Sequence, residues 1–243
     1  LEEQVRIFVT SAGSPVRIVG RLKKEGATVL HVAASPALAR KCEDAGCDAV
    51  VCEGFEAGGH NGREGELLVA AARKYGRIVQ MGSQRRSWPN LIELTRQLRD
   101  GSLIGRVYFA RGWYVNTRDS IGIGKPAPVP AGLDYELWQG PAPRLPFRDN
   151  VVHYNWHWFW HWGTSEACNN GTHEVDLMRW GMGLDFPSRV DSTGGRYAFS
   201  DDWECPDTQV ATFQFPDGRT FVWEGRSCNG FRTEGLARGI TFH

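Results

Sequence analysis

Three histidines recur at intervals of four residues in the segment HYNWHWFWHW, a spacing that could serve metal chemistry. They are His153, His157 and His161. On a helix their imidazoles would share one face and could bind a metal ion. However, tryptophans at alternate positions of the segment favour an extended strand or arm, in which successive histidines would lie about 13 Å apart. Imidazoles at that distance cannot share an ion, so we expect no metal site.

The aromatic side chains of the same segment suit a carbohydrate ligand, because indole faces stack against the C–H faces of sugars. We predict a substrate-binding wall of four residues, Tyr154, Trp156, His157 and Trp162. In this wall Tyr154 or His157 would hydrogen-bond the sugar hydroxyls. The sequence leaves open an alternative, in which the aromatic rings only pack against one another.

Two glycines after the third apolar run could bind a phosphate. Gly58 and Gly59 would let backbone amides converge on an anion, and the imidazole of His60 could donate a further hydrogen bond. An ordinary strand-to-helix turn is the alternative. The earlier loop, SAGSP at residues 11–15, offers one glycine before a helix start. That loop could hold a phosphate, but it lacks the GxGxxG pattern of a dinucleotide site.

Arg85 and Arg86 follow the run RIVQMGSQ, at the predicted carboxyl end of a parallel strand. Ligands bind at this edge in sheets of that kind. Either guanidinium could bind a phosphate or a carboxylate through two hydrogen bonds. We assign Arg85 to the cofactor site, and a pair of solvated arginines is the alternative.

Apolar strands and amphipathic helices alternate through the first part of the chain. The runs are VRIFVTSA, PVRIVGRLKKEG, ATVLHVAA, PALARKCEDAG and CDAVVCEG, in the order βαβαβ. Strands that are apolar on both faces, with helices between them, imply a parallel sheet with right-handed crossovers. Gly26 and Gly46 stand where helix ends take a left-handed residue. A helix near residues 64–74, the strand RIVQMG and the helix PNLIELTRQLRDG follow.

The pattern changes after Gly105. A strand RVYFARGWYV and a proline-rich loop precede a helix with apolar spacing at Val175, Met178 and Met182. The runs RVDSTGGRYAF, TQVATFQF and TFVWEGRS then predict antiparallel strands. The predicted fold is therefore α/β: a Rossmann-like parallel sheet domain over residues 1–104, then an α+β domain with an open antiparallel sheet over residues 105–243. The open sheet would suit packing in a homo-oligomer.

Composition narrows the class of partner. The 28 basic and 28 acidic residues cancel, so we expect neither a nucleic acid nor an anionic membrane as partner. No apolar run is long enough for a membrane span, and we expect a soluble, cytoplasmic protein with a small ligand. The six cysteines fit neither a zinc site nor a disulfide framework. Because the chain opens on Leu1 and stops in a strand-like run at His243, we expect both ends to be truncated.

From about residue 63 onwards, the chain resembles the Gfo/Idh/MocA family of nicotinamide-dependent sugar and cyclitol oxidoreductases. The matching segments are REGELLVAAARKYGRIVQMGSQRRS, GLDYELWQGPAP, HYNWHWFWHWGT and NNGTHEVDLMRWG. The resemblance implies a Rossmann-like first domain and a second domain with an open sheet. It also implies NAD or NADP as cofactor and hydride transfer at a hydroxyl carbon of a sugar or polyol.

Residues 1–62 resemble a different family, the FMN-dependent nitronate monooxygenases, which are βα barrels. The matching segments are VRIFVTSAGSP, LKKEGATVLHVAAS and ALARKCEDAGCDAVVCEGFEAGGHNG. In that family the GGH segment lies beside FMN, which makes FMN the alternative cofactor. This chain would supply only about three strands of such a barrel. The two patterns meet at HNGREG, and we interpret the chain as a chimera.

The resemblance to the sugar oxidoreductases assigns the catalytic positions. There a lysine and a histidine share the hydroxyl proton, assisted by an acid four residues before the histidine. The matching positions here are Gly54, His173 and Asn169. An amide cannot accept a proton at neutral pH, so catalysis is expected to be impaired and a non-catalytic domain is the alternative. Glu53 would contact the nicotinamide amide. His173 could also cap or pack at a helix start, and Asp176 would orient it or face solvent.

Overall fold

The computed structural model of the protein describes residues 7–10, 15–33, 36–52, 70–78, 83–139 and 142–243. The chain forms two compact units. The first unit comprises Leu1–Ala57 and Val129–Arg144, and the second comprises Gly58–Pro128 and Leu145–His243. The division into domains at residue 104 stays a prediction. None of the helices within the described residues is long and apolar enough to cross a bilayer.

A three-stranded parallel sheet forms the first unit. The strands are β1 (Ile7–Thr10), β2 (Thr28–Ala33) and β3 (Ala49–Cys52), in the spatial order β1-β2-β3. Helix α1 (Val16–Lys24) joins the first two strands and α2 (Pro36–Asp44) the next two. The unit also contains a short helix, α3 (Tyr135–Trp138). The βαβαβ order expected from the sequence is confirmed.

The core of the first unit consists of small apolar side chains. Val19 of α1 and Val29 of β2 are fully buried, and Phe8 and Leu22 pack against them. Gly26 and Gly46 have φ values of +73° and +83°, as the left-handed ends of α1 and α2 require. Both helices therefore end at the glycines expected from the sequence.

The second unit is built on a five-stranded sheet. Its strands are β4 (Phe109–Val115), β5 (Arg189–Gly195), β6 (Thr208–Gln214), β7 (Thr220–Arg226) and β8 (Arg238–Phe242). Their spatial order is β5-β6-β7-β4-β8, and β4 runs parallel to β7 while the other three pairings are antiparallel. The predicted fold class is confirmed, and the second sheet is mixed because one crossover joins parallel neighbours.

The second unit contains several helical elements, and the last of them packs on strands β4, β7 and β8 of this sheet. In chain order they are a helical stretch at residues 70–75, a 3₁₀ turn (Gln84–Ser87), α4 (Pro89–Asp100), a second 3₁₀ turn (Asn155–Trp158), α5 (Ser165–Asn169) and α6 (Gly171–Met182). The strand predicted at RIVQMG falls mostly outside the described residues. The core joins Met178 and Met182 of α6 to Phe221 and Trp223 of β7, so α6 is the helix that the sheet positions most directly.

Close packing of α6 depends on a glycine at its start. A Cβ added at Gly171 would lie 2.8 Å from Cε2 of Trp223, whose side chain is 2% exposed. A buried indole has little room to move. We expect Gly171→Ala to destabilise the second unit by about 1–3 kcal/mol, measured by urea unfolding followed through tryptophan fluorescence. Gly20→Ala on α1 is the matched control, since a Cβ there meets nothing within 4 Å. Equal stability of the two variants would contradict this prediction.

Candidate active site

The candidate site lies where α5 meets α6. Asn169 ends α5, Asn170 links the helices and Gly171 begins α6, so Asn169 and His173 occupy successive turns. The backbone N–H of His173 donates to the carbonyl of Asn170 at 3.0 Å. No side chain caps the start of α6. His173 therefore does not cap this helix through its side chain.

A buried carboxylate, Glu166, ties this corner together. Its side chain is almost fully buried, and Oε1 accepts a hydrogen bond from Nε of Arg118 at 2.6 Å. Its Oε2 accepts from the amide of Asn170 at 2.6 Å and from the amide of Asn169 at 3.4 Å. A buried charge needs such partners to offset the loss of hydration. Glu166 thereby fixes the orientation of both asparagine amides.

The hydroxyl of Tyr154 accepts two hydrogen bonds. Nη2 of Arg118 donates to it at 3.1 Å and Nδ2 of Asn169 at 2.9 Å. The Arg118 guanidinium also lies over the rings of Tyr154 and Trp158, at 5.1 and 4.8 Å. A phenol oxygen has two acceptor sites and one proton. With both acceptor sites occupied, the hydroxyl is left to act as a donor towards a ligand.

Tyr154 and Arg118 line an open cleft of about 320 Å³. Polar groups from the loop after β4, including Asn116 and Asp119, form much of its wall, and Trp158 contributes an aromatic surface. Tyr154 is 46% exposed, so its ring and hydroxyl are accessible. The cleft therefore offers hydrogen-bond donors, acceptors and an aromatic face within one unit, a combination suited to a small polar ligand.

The imidazole of His173 lies half-buried next to this corner. Burial lowers its pKa, the charges of Arg85 and Arg238 lower it further, and Asp176 acts in the opposite direction. No hydrogen bond to the ring occurs within the part of the chain that the structure describes. At neutral pH this histidine is therefore an uncharged imidazole that can accept a proton.

Glu174 of α6 forms a buried ion triad with Arg85 and Arg238. Glu174 is fully buried; its Oε1 accepts a hydrogen bond from Nη2 of Arg85 at 2.9 Å and forms an ion pair with Nε of Arg238, also at 2.9 Å. Burial raises the pKa of Glu174, against the opposing charges of Arg238 and Arg85. Arg238 also donates to Oδ1 of Asn170 at 2.5 Å. The triad places two cationic groups near His173 and holds them there.

The sequence left open that Arg85 and Arg86 are a solvated pair, but both guanidinium groups bind carboxylates. Arg85 is held by Glu174, and Arg86 donates three hydrogen bonds to Asp176 at 2.7–3.1 Å. The carboxylate of Asp176 binds Arg86, and no hydrogen bond joins it to His173 within the described residues, so whether it orients His173 stays open. The assignment of Arg85 to the cofactor site stays a prediction.

The aromatic segment is not extended, and the prediction of a strand or arm was wrong. It folds as turns around the 3₁₀ element at Asn155–Trp158. In this conformation His157 is 7% exposed, its Nδ1 lies 2.6 Å from the Tyr154 carbonyl, and its ring stacks on Trp156 at 3.7 Å. Burial lowers the pKa of His157. Of the predicted wall, Tyr154 lines the cleft, His157 lies inside, and Trp156 and Trp162 are half-buried.

Metal binding finds no support in the described ranges, where no three His, Cys, Asp or Glu side chains are grouped to hold an ion. Cys47, Cys168, Cys205 and Cys228, which lie in these ranges, form no disulfide. Two members of the site, Arg118 and Glu166, were missed from the sequence. They lie 48 positions apart, and no local pattern marks such a pair.

The residues predicted to bind the cofactor fall largely where the structure gives no description. Glu53, Gly54, Gly58, Gly59 and His60 lie outside the described residues. The described residues include α1, which starts after Pro15 with no side-chain cap.

Two family models match the chain in separate regions. Residues 113–230 match the C-terminal alpha/beta domain of the Gfo/Idh/MocA oxidoreductase family. Residues 1–79 match the nitronate monooxygenase family. Both resemblances expected from the sequence are thus confirmed. No curated protein matches the chain.

Solved structures share the fold. The WlbA dehydrogenase from Bordetella pertussis, in complex with NADH and UDP-GlcNAcA, is 16% identical, with a TM-score of 0.51 over 99% of this chain and 56% of that one. GenD2 from gentamicin A biosynthesis, in complex with NAD, is 16% identical, with a TM-score of 0.53 over 97% and 72%. Aldose-aldose oxidoreductase from Caulobacter crescentus, complexed with glycerol, is 15% identical, with a TM-score of 0.55 over 93% and 64%. The chain thus spans between about half and three quarters of these relatives' lengths.

Proposed function

We propose that this protein is an oxidoreductase of the Gfo/Idh/MocA type, which transfers hydride between NAD(P) and a hydroxyl-bearing carbon of a sugar or polyol. The observation that carries the proposal is His173, an imidazole with a lowered pKa and a free ring, one turn from the Asn169–Tyr154 pair beside the cleft. The family match over residues 113–230 includes all of these groups. The relatives crystallised with NADH or NAD support the choice of cofactor.

Oxidation of an alcohol removes a hydride from carbon and a proton from oxygen. The nicotinamide, when bound, supplies the acceptor for the hydride. In the proposed mechanism neutral His173 accepts the proton, while the hydroxyl of Tyr154 donates a hydrogen bond to a ligand oxygen. Asn169 holds the Tyr154 hydroxyl at 2.9 Å and orients it without titrating.

The described part of the first unit fits a dinucleotide only in part. The uncapped start of α1 suits a phosphate. The described end of β2, at residues 31–33, reads His-Val-Ala and offers no acid for a ribose hydroxyl. Because the first unit fits the cofactor only in part, the proposed proton transfer uses only residues of the second unit.

Titration with NADH and NADPH tests the proposal, with energy transfer from the tryptophans to the reduced nicotinamide as the signal. We expect saturable transfer at micromolar cofactor, followed by turnover in a screen of sugars and polyols. Absence of transfer up to millimolar cofactor would overturn the proposal and favour a non-catalytic domain that keeps the fold.

Catalysis is expected to be impaired because Gly54 stands where the resembled family has a lysine, and a substitution at this position tests that expectation. Gly54 lies outside the described residues, and its assignment rests on the sequence resemblance. We expect Gly54→Lys to raise kcat for a polyol by about 100-fold, because a positioned acid–base group contributes on that order. Gly54→Gln, of similar length but without a titrating amine, is the control and should give no gain. Cofactor binding without any increase in kcat for the lysine variant would contradict the assignment.

A flavin enzyme is the second candidate, since the nitronate monooxygenase model matches residues 1–79. Protein purified from cells would then be yellow, and FMN would appear in the supernatant after denaturation. A colourless protein that does not bind added FMN would exclude this candidate.

A further inference from the structure

A second cleft, of about 360 Å³, lies at the carboxyl ends of α4 and α6, apart from the groups around His173. Three arginines from three different segments line it: Arg99 in the last turn of α4, Arg106 in the loop before β4, and Arg219 in the turn between β6 and β7. No role in the proposed oxidation draws on this cleft.

The floor of the cleft is apolar. Leu98, Val107 and Met182 line it, and each is about 4% exposed. The loop above the floor reverses at Gly101 and Gly105, whose φ values are +75° and +76°. A Cβ at Gly105 would meet nothing within 4 Å, so the rim is open on that side. The cleft thus combines an apolar floor with a cationic rim.

Two carboxylates at this cleft already have partners, and one of them, Asp100, belongs to the lining. Asp100 accepts from Arg96 at 2.6 Å and from the backbone N–H of Ser102 at 2.9 Å. Asp217 accepts from Nε of Arg219 at 2.6 Å, and Nη1 of Arg219 donates to the Met182 carbonyl at 2.6 Å. Both acids are paired with other arginines, and no ion pair joins either of them to Arg99 or Arg106 within the described residues.

Among the described residues, Arg99 and Arg106 share the lack of a carboxylate partner with Arg73, Arg77 and Arg232, but they differ in this from several other exposed arginines of the second unit. Arg86, Arg96 and Arg189 each bind a carboxylate. Over the residues that the structure describes, the guanidinium groups of Arg99 and Arg106 have neither a hydrogen bond nor an ion pair. Two like charges held at one cleft repel each other, and a bound anion would relieve that repulsion.

We propose that this cleft binds an oxyanion, a phosphate monoester or a carboxylate, carried on a small apolar body. Guanidinium groups bind such oxyanions through paired hydrogen bonds, and the floor of Leu98, Val107 and Met182 accepts the apolar part. The site does not depend on the proposed function, because it shares no residue with the His173 corner.

Thermal unfolding of the full chain at constant ionic strength tests this proposal, with phenyl phosphate, benzoate, inorganic phosphate and benzyl alcohol as probes. We expect phenyl phosphate or benzoate at ten times its Kd to raise Tm by about 3–6 °C. Inorganic phosphate should raise it less, and benzyl alcohol should not raise it. Comparison of the first two probes decides between a phosphate and a carboxylate.

The double variant Arg99→Gln/Arg106→Gln should lose the increase in Tm while its Tm without ligand stays equal or rises, since the repulsion is gone. Arg17→Gln/Arg21→Gln on α1 carries the same change of net charge on exposed residues of the other unit, and it should keep the response. If the first variant keeps the response, or both variants lose it, the site is not at this cleft. Should the double variant fold poorly, Arg106→Gln alone decides, because Arg106 is exposed in a loop.

Discussion

Replacement of Glu166 by alanine is expected to destabilise the second unit by about 3 kcal/mol, the low end for a buried ion pair that loses one partner. The change leaves the Arg118 guanidinium, only 18% exposed, without its carboxylate. It also removes the acceptor of the Asn170 and Asn169 amides. Since Arg118 and Asn169 both hold the Tyr154 hydroxyl, ligand affinity at the cleft should fall together with stability.

Urea unfolding followed by tryptophan fluorescence measures this effect. Glu93→Ala is the matched control, because Glu93 forms an ion pair with Arg96 on the exposed face of α4, where such pairs contribute little. Glu166→Gln should fall between the wild type and Glu166→Ala, since the amide keeps an acceptor oxygen. Equal midpoints for Glu166→Ala and Glu93→Ala would show that the Arg118–Glu166 pair does not organise the site.

The parallel sheet of the first unit was predictable because its signals are local. Apolar strands of four to six residues, amphipathic helices and the glycines at positions 26 and 46 all fall within short windows. The same locality explains why this part resembles another family. Three parallel strands in the order β1-β2-β3 occur in half of a doubly wound sheet and equally in part of a βα barrel. The local sequence pattern therefore predicts the three-stranded parallel sheet, but it does not tell whether that sheet belongs to a doubly wound fold or to a βα barrel.

The aromatic segment shows why local pattern failed elsewhere. Tryptophans at alternate positions predicted an extended chain, yet Trp158 turns inward and stacks on Trp203 with ring centroids 4.0 Å apart. A contact between residues 45 positions apart overrides the local preference. The charge pairs follow the same logic, because Arg86–Asp176 and Arg118–Glu166 join residues 90 and 48 positions apart. In contrast, the proximity of Asn169 and His173 could be predicted from the sequence, because the two residues lie on neighbouring helical turns.

Replacement of His173 by alanine is expected to lower kcat by about 100-fold or more, the usual contribution of a general base, with a smaller change in KM. Steady-state kinetics on a polyol identified in the screen measures the loss, and nicotinamide binding by energy transfer should be unchanged. His173→Asn keeps a hydrogen-bonding group but cannot accept the proton, so an equal loss in that variant identifies proton acceptance as the role. Unchanged turnover in His173→Ala would remove this residue from the mechanism.

The pH dependence follows from the charges around the imidazole. Burial and the charges of Arg85 and Arg238 lower the pKa of His173 below its ordinary value of 6.5, so the base stays neutral, and kcat/KM should stay high, until the pH falls below that value. Stability changes in the same sense: the unfolded chain binds this proton first, so the contribution of His173 is present above pH 6.5 and is lost as the pH falls through its folded pKa.

Arg238→Gln removes one of the two charges and should move the pKa of His173 upwards, towards its ordinary value. A ¹H–¹³C NMR titration of the imidazole reads this shift without any turnover, with His173→Ala used to assign the signal. Arg189→Gln is the matched control, since it removes an exposed arginine charge on β5 that pairs with Asp191 and should leave the His173 titration unchanged. A downward shift in Arg238→Gln, or no shift, would mean that the buried triad does not keep this base neutral.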